Sequence, residues 1–272
     1  MTLRTRADIP SAQRIVVKVG SSSVSGENAE QIGPLVDALA AAHARGTEVV
    51  LVSSGAIATA IPFLSLDGRP TDLATQQAAA AVGQNVLMWR YQTSLDRYGV
   101  LAGQVLLTAG DLENATPRSN AQRAMDRLLA LRILPIVNEN DTVATHEIRF
   151  GDNDRLAALV AELIGADLLV LLSDVDALYT KPPHLEGAER IEHVAYGDEL
   201  AGVEIGSIGR AGVGTGGAET KVSAARIAAS SGAAVLITAT PLVADALSGS
   251  HIGTWFDAAP ERHTADEAVP LA

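Results

Sequence analysis

Short apolar runs rich in Val, Leu and Ile alternate along this chain with segments of helical period, and that alternation limits the fold more than any other feature. The runs are Ile15–Val19, Glu48–Val52, Val100–Leu107, Ile133–Val137, Leu168–Leu172 and Ala234–Thr238. Between them lie an apolar stripe at Ile32, Leu35, Val36 and Leu39, an Ala- and Gln-rich stretch from Leu73 to Tyr98, and helical patterns over Pro117–Arg132, Leu156–Ile164 and a segment ending near Ser231. A short strand near Ile191–Val194 and a short helix after Pro241 complete the pattern. Strand, helix and strand in that order predict an α/β protein with an open, mainly parallel sheet, because parallel neighbours need a crossover and a helix is the usual one.

The composition agrees. Aromatic residues make up only 3% of the chain while 47% is hydrophobic, so the core must be built from Ala, Val, Leu and Ile, as in parallel strands covered by small-residue helices. The 272 residues suffice for a substantial core. A formal net charge of −12 speaks against a nucleic-acid surface, which requires clustered Lys and Arg. Cysteine is absent, which removes disulfides and thiolate metal sites, and the six histidines fall at no metal-ligand spacing. The first thirteen residues have no apolar core of a secretory signal, and no run approaches the roughly 18 apolar residues that span a bilayer. A soluble protein in the cytoplasm, off the membrane, is the expectation.

The polar residues collect where the apolar runs stop. Ile136-Val137 leads into Asn138-Glu139-Asn140-Asp141, and after nine intervening residues Gly151-Asp152-Asn153-Asp154 stands just ahead of a helical pattern. Asn and Asp at such places are either helix caps and turn formers or ligands at the carboxyl edge of a sheet; two clusters with nothing nearby that needs so many caps favour a site. Ala144–Phe150, between them, alternates like a hairpin arm. Lys18 interrupts the first strand, so it is at a strand edge or has an anion to meet. The second strand ends in Ser53-Ser54-Gly55-Ala56, a turn that aims hydroxyls and amides at one spot. The fifth ends in Ser173-Asp174-Val175-Asp176, a segment that suits either a nucleotide's base and ribose or an acidic surface loop. Gly214-Thr215-Gly216-Gly217-Ala218-Glu219-Thr220-Lys221 is the sharpest local signal. Glycines let successive amides converge on an oxyanion at a helix start, and Lys221 lies one turn in; a flexible surface loop is the alternative. Neither the P-loop pattern nor the dinucleotide fingerprint occurs.

Two isolated lysines, a phosphate cradle and an amide-rich platform suit phosphoryl transfer, which needs positioning and charge neutralisation more than a base. A carboxylate acceptor, with a pKa of about 4, is already ionised at neutral pH. The obstacle is repulsion between that anion and a triphosphate, about 4 kcal/mol for each unit-charge pair at roughly 4 Å and an effective dielectric of about 20. Lys18, Lys221 and a magnesium ion offset such terms, and Asp154 is placed to hold the lysines.

The motifs Val17-Lys18-Val19-Gly20, Ser53-Ser54-Gly55-Ala56-Ile57-Ala58, Asn138-Glu139-Asn140-Asp141, Gly151-Asp152-Asn153-Asp154 and Gly214 to Lys221, in that order, resemble those of the glutamate 5-kinases of the amino acid kinase superfamily. The resemblance runs from about Arg14 to His251. It implies a three-layer α/β/α sandwich and ATP-dependent phosphorylation of the L-glutamate γ-carboxylate, the first step of proline synthesis. By motif match it assigns Ser54, Asp141 and Asn153, with Asn138 close by, to glutamate; Lys18 and Lys221 to the transferring phosphoryl group; Asp154 to orienting both lysines; and Lys18, Ser173, Asp174, Thr215, Gly216, Gly217, Ala218, Glu219, Thr220 and Lys221 to ATP. It further implies magnesium carried mainly by the nucleotide with no metal ligands in the protein, a homo-oligomer (dimer or tetramer), and inhibition by proline. One domain over residues 1–272 is expected, with residues 14–165 facing glutamate and 166–258 facing ATP, and without the C-terminal RNA-modification-type domain of many members. Thr59-Ala60, Ala109-Gly110 and Ala218 depart from the usual family residues. The rivals are a superfamily kinase for acetylglutamate, aspartate or UMP, and a non-catalytic amino-acid or nucleotide sensor of the same fold.

Overall fold

The computed structural model describes residues 2–144, 153–200 and 217–260. The elements in order are β1 (Arg14–Lys18), α1 (Ile32–Ala44), β2 (Glu48–Val52), α2 (Ala56–Ala60), α3 (Leu73–Leu95), β3 (Ala102–Leu107), α4 (Ala109–Glu113), α5 (Ala115–Ala130), β4 (Leu134–Glu139), α6 (Asn153–Leu163), β5 (Leu168–Ser173), β6 (Leu178–Tyr179), β7 (Arg190–Ile191), β8 (His193–Val194), α7 (Ala218–Ser230), β9 (Ala234–Ala239), α8 (Val243–Leu247) and β10 (Thr254–Phe256). An eight-stranded sheet runs in the order β3-β4-β2-β1-β5-β9-β10-β8, and β6 pairs with β7 separately. From β3 to β9 every neighbouring pair is parallel. Within this sheet the antiparallel contact is β10 against β9, and β6 and β7 are antiparallel to each other.

Alternation along the central strands sends successive side chains to opposite faces. Val16, Val50, Val137, Leu169, Leu171 and Ile237 meet Met125 and Leu129 of α5, the Ala-rich faces of α6 and α7, and Phe256. Ile15, Val17, Leu51, Ile136, Val170 and Leu236 meet Leu35, Val36 and Leu39 of α1, Leu87, Tyr91 and Leu95 of α3, and Val243 and Leu247 of α8. Helices thus cover both faces, giving the three-layer α/β/α sandwich, and the middles of the central strands β1, β2, β4, β5 and β9 are apolar because there neither face meets water. No helix among the described residues is long and apolar enough to cross a membrane.

Several boundaries differ from those the sequence suggests. β4 continues through Asn138 and Glu139, which pair in register with Leu106 and Leu107 of β3; the polar residues end the apolar run but not the ladder. α6 begins at Asn153, ahead of its first apolar residue, so Asn153 and Asp154 stand in its first turn. α4 is an additional short helix, started by a capping box in which the Asp111 carboxylate accepts from the Thr108 N–H at 2.7 Å. The hairpin arm expected over residues 144–150, apart from Ala144, lies outside the described residues, as do residues 151–152 and the glycine stretch up to residue 216.

The Ala79-Ala80 part of α3 packs inside the protein, against Ile57 and Ala60 of α2. This contact is unusually close. A Cβ on Gly83 would lie 1.7 Å from the Ala56 carbonyl oxygen, so only glycine lets α3 approach the Gly55-Ala56 turn. Gly55 itself holds φ at +89°, a left-handed conformation that glycine adopts without steric cost.

Candidate active site

Parallel strands end on the same side of a sheet, and the crevice beyond their carboxyl ends is where such folds hold ligands. The ends gathered there are Asn138-Glu139 of β4, Ser53-Ser54 after β2, Lys18 at the end of β1, Ser173-Asp174 at the end of β5 and Thr240 after β9. The Ser53 N–H donates to the Val137 carbonyl at 2.8 Å, which extends the β2–β4 ladder and fixes the serine turn against Asn138.

Lys18, Asp154 and Lys221 form one buried cluster. Asp154 is fully buried, and Lys18 and Lys221 are 4% and 7% exposed. Lys18 Nζ pairs with Asp154 Oδ1, and Lys221 Nζ with Asp154 Oδ2 at 2.9 Å. Each ammonium therefore takes one oxygen of a single carboxylate, and the three side chains carry a net charge of +1. Burial would raise the Asp154 carboxyl, but the two lysines outweigh it and hold it well below the usual carboxylate range. Thr220 Oγ1 lies 3.4 Å from Asp154 Oδ2 and donates to the Gly217 carbonyl at 2.9 Å. The first turns of α6 and α7 therefore abut, and both helix N-termini add positive potential at the same place.

Beside the ion cluster is a cluster of amides and hydroxyls. Asn153 Nδ2 is 2.6 Å from the Ser53 carbonyl, 3.0 Å from Ser54 Oγ and 2.8 Å from Asn138 Oδ1. Asn138 Oδ1 also accepts from the Glu139 N–H at 2.9 Å, and Asn138 Nδ2 donates to Gln84 Oε1 at 2.7 Å. Ser53 Oγ and the Tyr91 hydroxyl are 2.8 Å apart; burial pushes the Tyr91 phenol up to about 12, against the lowering effect of this hydrogen bond. Asp141 lines an adjoining cavity of about 290 Å³ together with Gln84, Ala56, Ala80 and Thr142.

On the other side, Ser173 Oγ donates to Asp174 at 3.1 Å, and Thr240 Oγ1 lies 3.2 Å from the Ser173 carbonyl and 2.8 Å from Ser23 Oγ. Gly217 precedes α7, Ala218 is buried and Glu219 is exposed; Thr215 and Gly216 lie outside the described residues. Among the described residues no three His, Asp or Glu side chains converge as metal ligands. The cationic cluster suits the phosphates of a magnesium–nucleotide complex.

Lys18, Asp154 and Lys221 thus meet directly, as do Ser54, Asn138 and Asn153, while Asp141 enters through the cavity wall. Gln84 and Tyr91 are parts of the site that the motifs did not single out. Their signal is positional: Ala80, Gln84, Leu87, Tyr91 and Leu95 share the buried face of α3, and a Gln on such a stripe requires a partner.

The amino acid kinase family model matches residues 13–239. The chain is 75% identical to the glutamate 5-kinase of Leifsonia xyli subsp. xyli over 272 residues, all of both chains. It is 75% identical to that of Clavibacter sepedonicus, over 94% of this chain and 98% of that one, and 56% identical to that of Streptomyces coelicolor, over 98% of this chain and 72% of that one. Among solved structures, carbamate kinase from Giardia lamblia bound to AMP-PNP superposes with a TM-score of 0.66 at 16% identity, over 92% of this chain and 100% of that one, a likeness of fold alone.

Proposed function

The chain belongs to the amino acid kinase family, and from that premise we propose that it transfers the terminal phosphoryl group of ATP to the γ-carboxylate of L-glutamate, the first step of proline biosynthesis. The observation that carries the chemical assignment is the sharing of one buried carboxylate by Lys18 and Lys221. Two ammonium groups held by one aspartate leave a fixed positive charge, and a phosphoryl group moving between two anions needs that charge in place before it moves.

The residues divide the work by side of the crevice, within one domain over residues 1–272. On the 14–165 side, Ser54, Asn138, Asp141 and Asn153 hold glutamate. On the 166–258 side, Ser173, Asp174 and residues 215–221 hold ATP. A carboxylate oxygen attacks the terminal phosphorus, the new O–P bond forms as the bond to the ADP oxygen breaks, and ADP leaves as the anion. No proton is removed, since a carboxyl with a pKa of about 4 is ionised at neutral pH. Lys18 and Lys221 neutralise the transferring group while Asp154 keeps them on either side of it. Magnesium, bound through the nucleotide, supplies further charge neutralisation.

Hydroxylamine trapping tests this directly. Glutamate with ATP should give a hydroxamate that requires both substrates, and its absence with glutamate alongside its formation with aspartate or acetylglutamate would reassign the substrate. Inhibition by proline, a cytoplasmic location and assembly into a dimer or tetramer belong to the same proposal. Assembly is supported by apolar surface at Trp89 and Leu101, 67% and 62% exposed, in a chain with few aromatic residues.

A further inference from the structure

An asparagine that binds an amino acid can present either its oxygen or its nitrogen, and in this site the choice is fixed by a directional chain of amides. The Glu139 N–H can only donate, so it requires Asn138 Oδ1, at 2.9 Å. The Ser53 carbonyl can only accept, so it requires Asn153 Nδ2, at 2.6 Å. Asn153 Nδ2 then also meets Asn138 Oδ1 at 2.8 Å, which turns the Asn153 oxygen away from all three acceptors. The remaining end of the chain is Asn138 Nδ2, buried, with Gln84 Oε1 at 2.7 Å. Gln84 comes from α3, whereas Asn138 and Asn153 come from β4 and α6, and Gln84 also lines the cavity that holds Asp141.

We propose that Gln84 is a positioning residue for the amino-acid substrate: by accepting from Asn138 Nδ2 it holds Asn138, and through it Asn153, with the Asn153 oxygen presented as an acceptor to the substrate's ammonium group. Without that acceptor, Asn138 Nδ2 is left buried and unsatisfied, and Asn138 must turn to find another partner, withdrawing the oxygen that orients Asn153. The inference rests on the assignment of Asn138 and Asn153 to glutamate binding.

Gln84→Met keeps the length of the side chain and removes its acceptor. It should raise KM for glutamate about tenfold, the scale of one buried hydrogen bond, with kcat and KM for ATP within about twofold. Gln84→Glu retains an acceptor at the same reach and should keep KM for glutamate within about threefold. Because Gln84 acts through Asn138, Gln84→Met added to Asn138→Ala should cause no further loss. A wild-type KM in Gln84→Met, an equal loss in Gln84→Glu, or additivity with Asn138→Ala overturns the inference. If Gln84→Met does not fold, Gln84→Glu carries the test alone, and a tenfold rise in its KM has the same overturning force. Asn153→Ala separates the two levels. If it leaves KM for glutamate unchanged, the substrate assignment fails and takes this inference with it; if it raises KM while Gln84→Met does not, only the role of Gln84 fails.

Discussion

Asp154 is ionised where burial alone would neutralise it, because two lysines reach it from opposite halves of the chain. Removing its charge leaves both ammonium groups in a dry site. Asp154→Asn should therefore lose about 3–5 kcal/mol of stability in denaturant titrations at neutral pH, the usual cost of a buried charge deprived of its partner, along with most of its turnover. The sign with pH follows from the lowered folded-state value: the stabilisation is present above the ordinary carboxyl value of 3.8 and is lost as pH falls below it. The gap between wild type and Asp154→Asn should accordingly narrow in acid; a gap constant from neutral pH to pH 3 would refute the account. Lys221→Ala should lower kcat by about a hundredfold or more, the scale of one lost transition-state contact, and near-normal turnover would remove that lysine from the mechanism. Asp141→Ala should instead act mainly on KM for glutamate; an effect on KM for ATP alone would show that the division of the crevice is wrong.

At the scale of elements, α3 sets the side of the crevice proposed to hold glutamate. Its Gln84 and Tyr91 lie two turns apart and reach Asn138 and Ser53, and Gly83 lets it come close enough to do so. Gly83→Ala puts a methyl group 1.7 Å from the Ala56 oxygen, so the helix or the Gly55-Ala56 turn must move. Kinetic assays should show KM for glutamate rising well above that for ATP, and thermal unfolding a loss of about 1–3 kcal/mol, as overpacking gives. The Ala-rich run before Gly83 allows close packing, but the partner is not readable there, since a glycine inside a helix reads locally only as a weak helix former. The main strands and long helices were legible, because strands buried on both faces read as continuous apolar runs while helices buried on one face carry a 3.6-residue period. The short strand expected near Ile191–Val194 is present as β7 and β8, whereas β6 and β10, two and three residues long, are too short to show a pattern. The site was legible as far as charge and Asn/Asp clustering carried it, to Lys18, Asp154, Lys221 and the two amide motifs. Gln84 and Tyr91 act across the layers from a helix distant in sequence, and their partners appear only once α3 is laid on the sheet.

At the scale of the whole molecule, the net charge of −12 and the local +1 of the Lys18–Asp154–Lys221 cluster coexist because the cluster is buried and screened little by the surface. The outer surface poses a separate problem. Val82 and Trp89 lie seven residues apart on the outward side of α3, both exposed, and Leu101 is exposed beside the start of β3, the end strand of the eight-stranded sheet. A large apolar side chain left in water costs about 1.5–3 kcal/mol relative to a buried one. A second copy seated on this face recovers that energy, which is the basis for the proposed oligomer. Trp89→Glu should then shift the mass measured by light scattering after size exclusion toward the single-chain value, since a charge buried in such an interface is costly without a partner. Trp89 contributes little to the interior of its own chain, so the separated chain should keep its secondary structure by circular dichroism. Its KM for glutamate should rise, because the helix that carries Gln84 and Tyr91 on its inner face loses its outer support, while KM for ATP, set on the other side of the crevice, stays near wild type. An unchanged mass would place the subunit contact elsewhere or nowhere, and a KM change confined to ATP would detach α3 from the glutamate side.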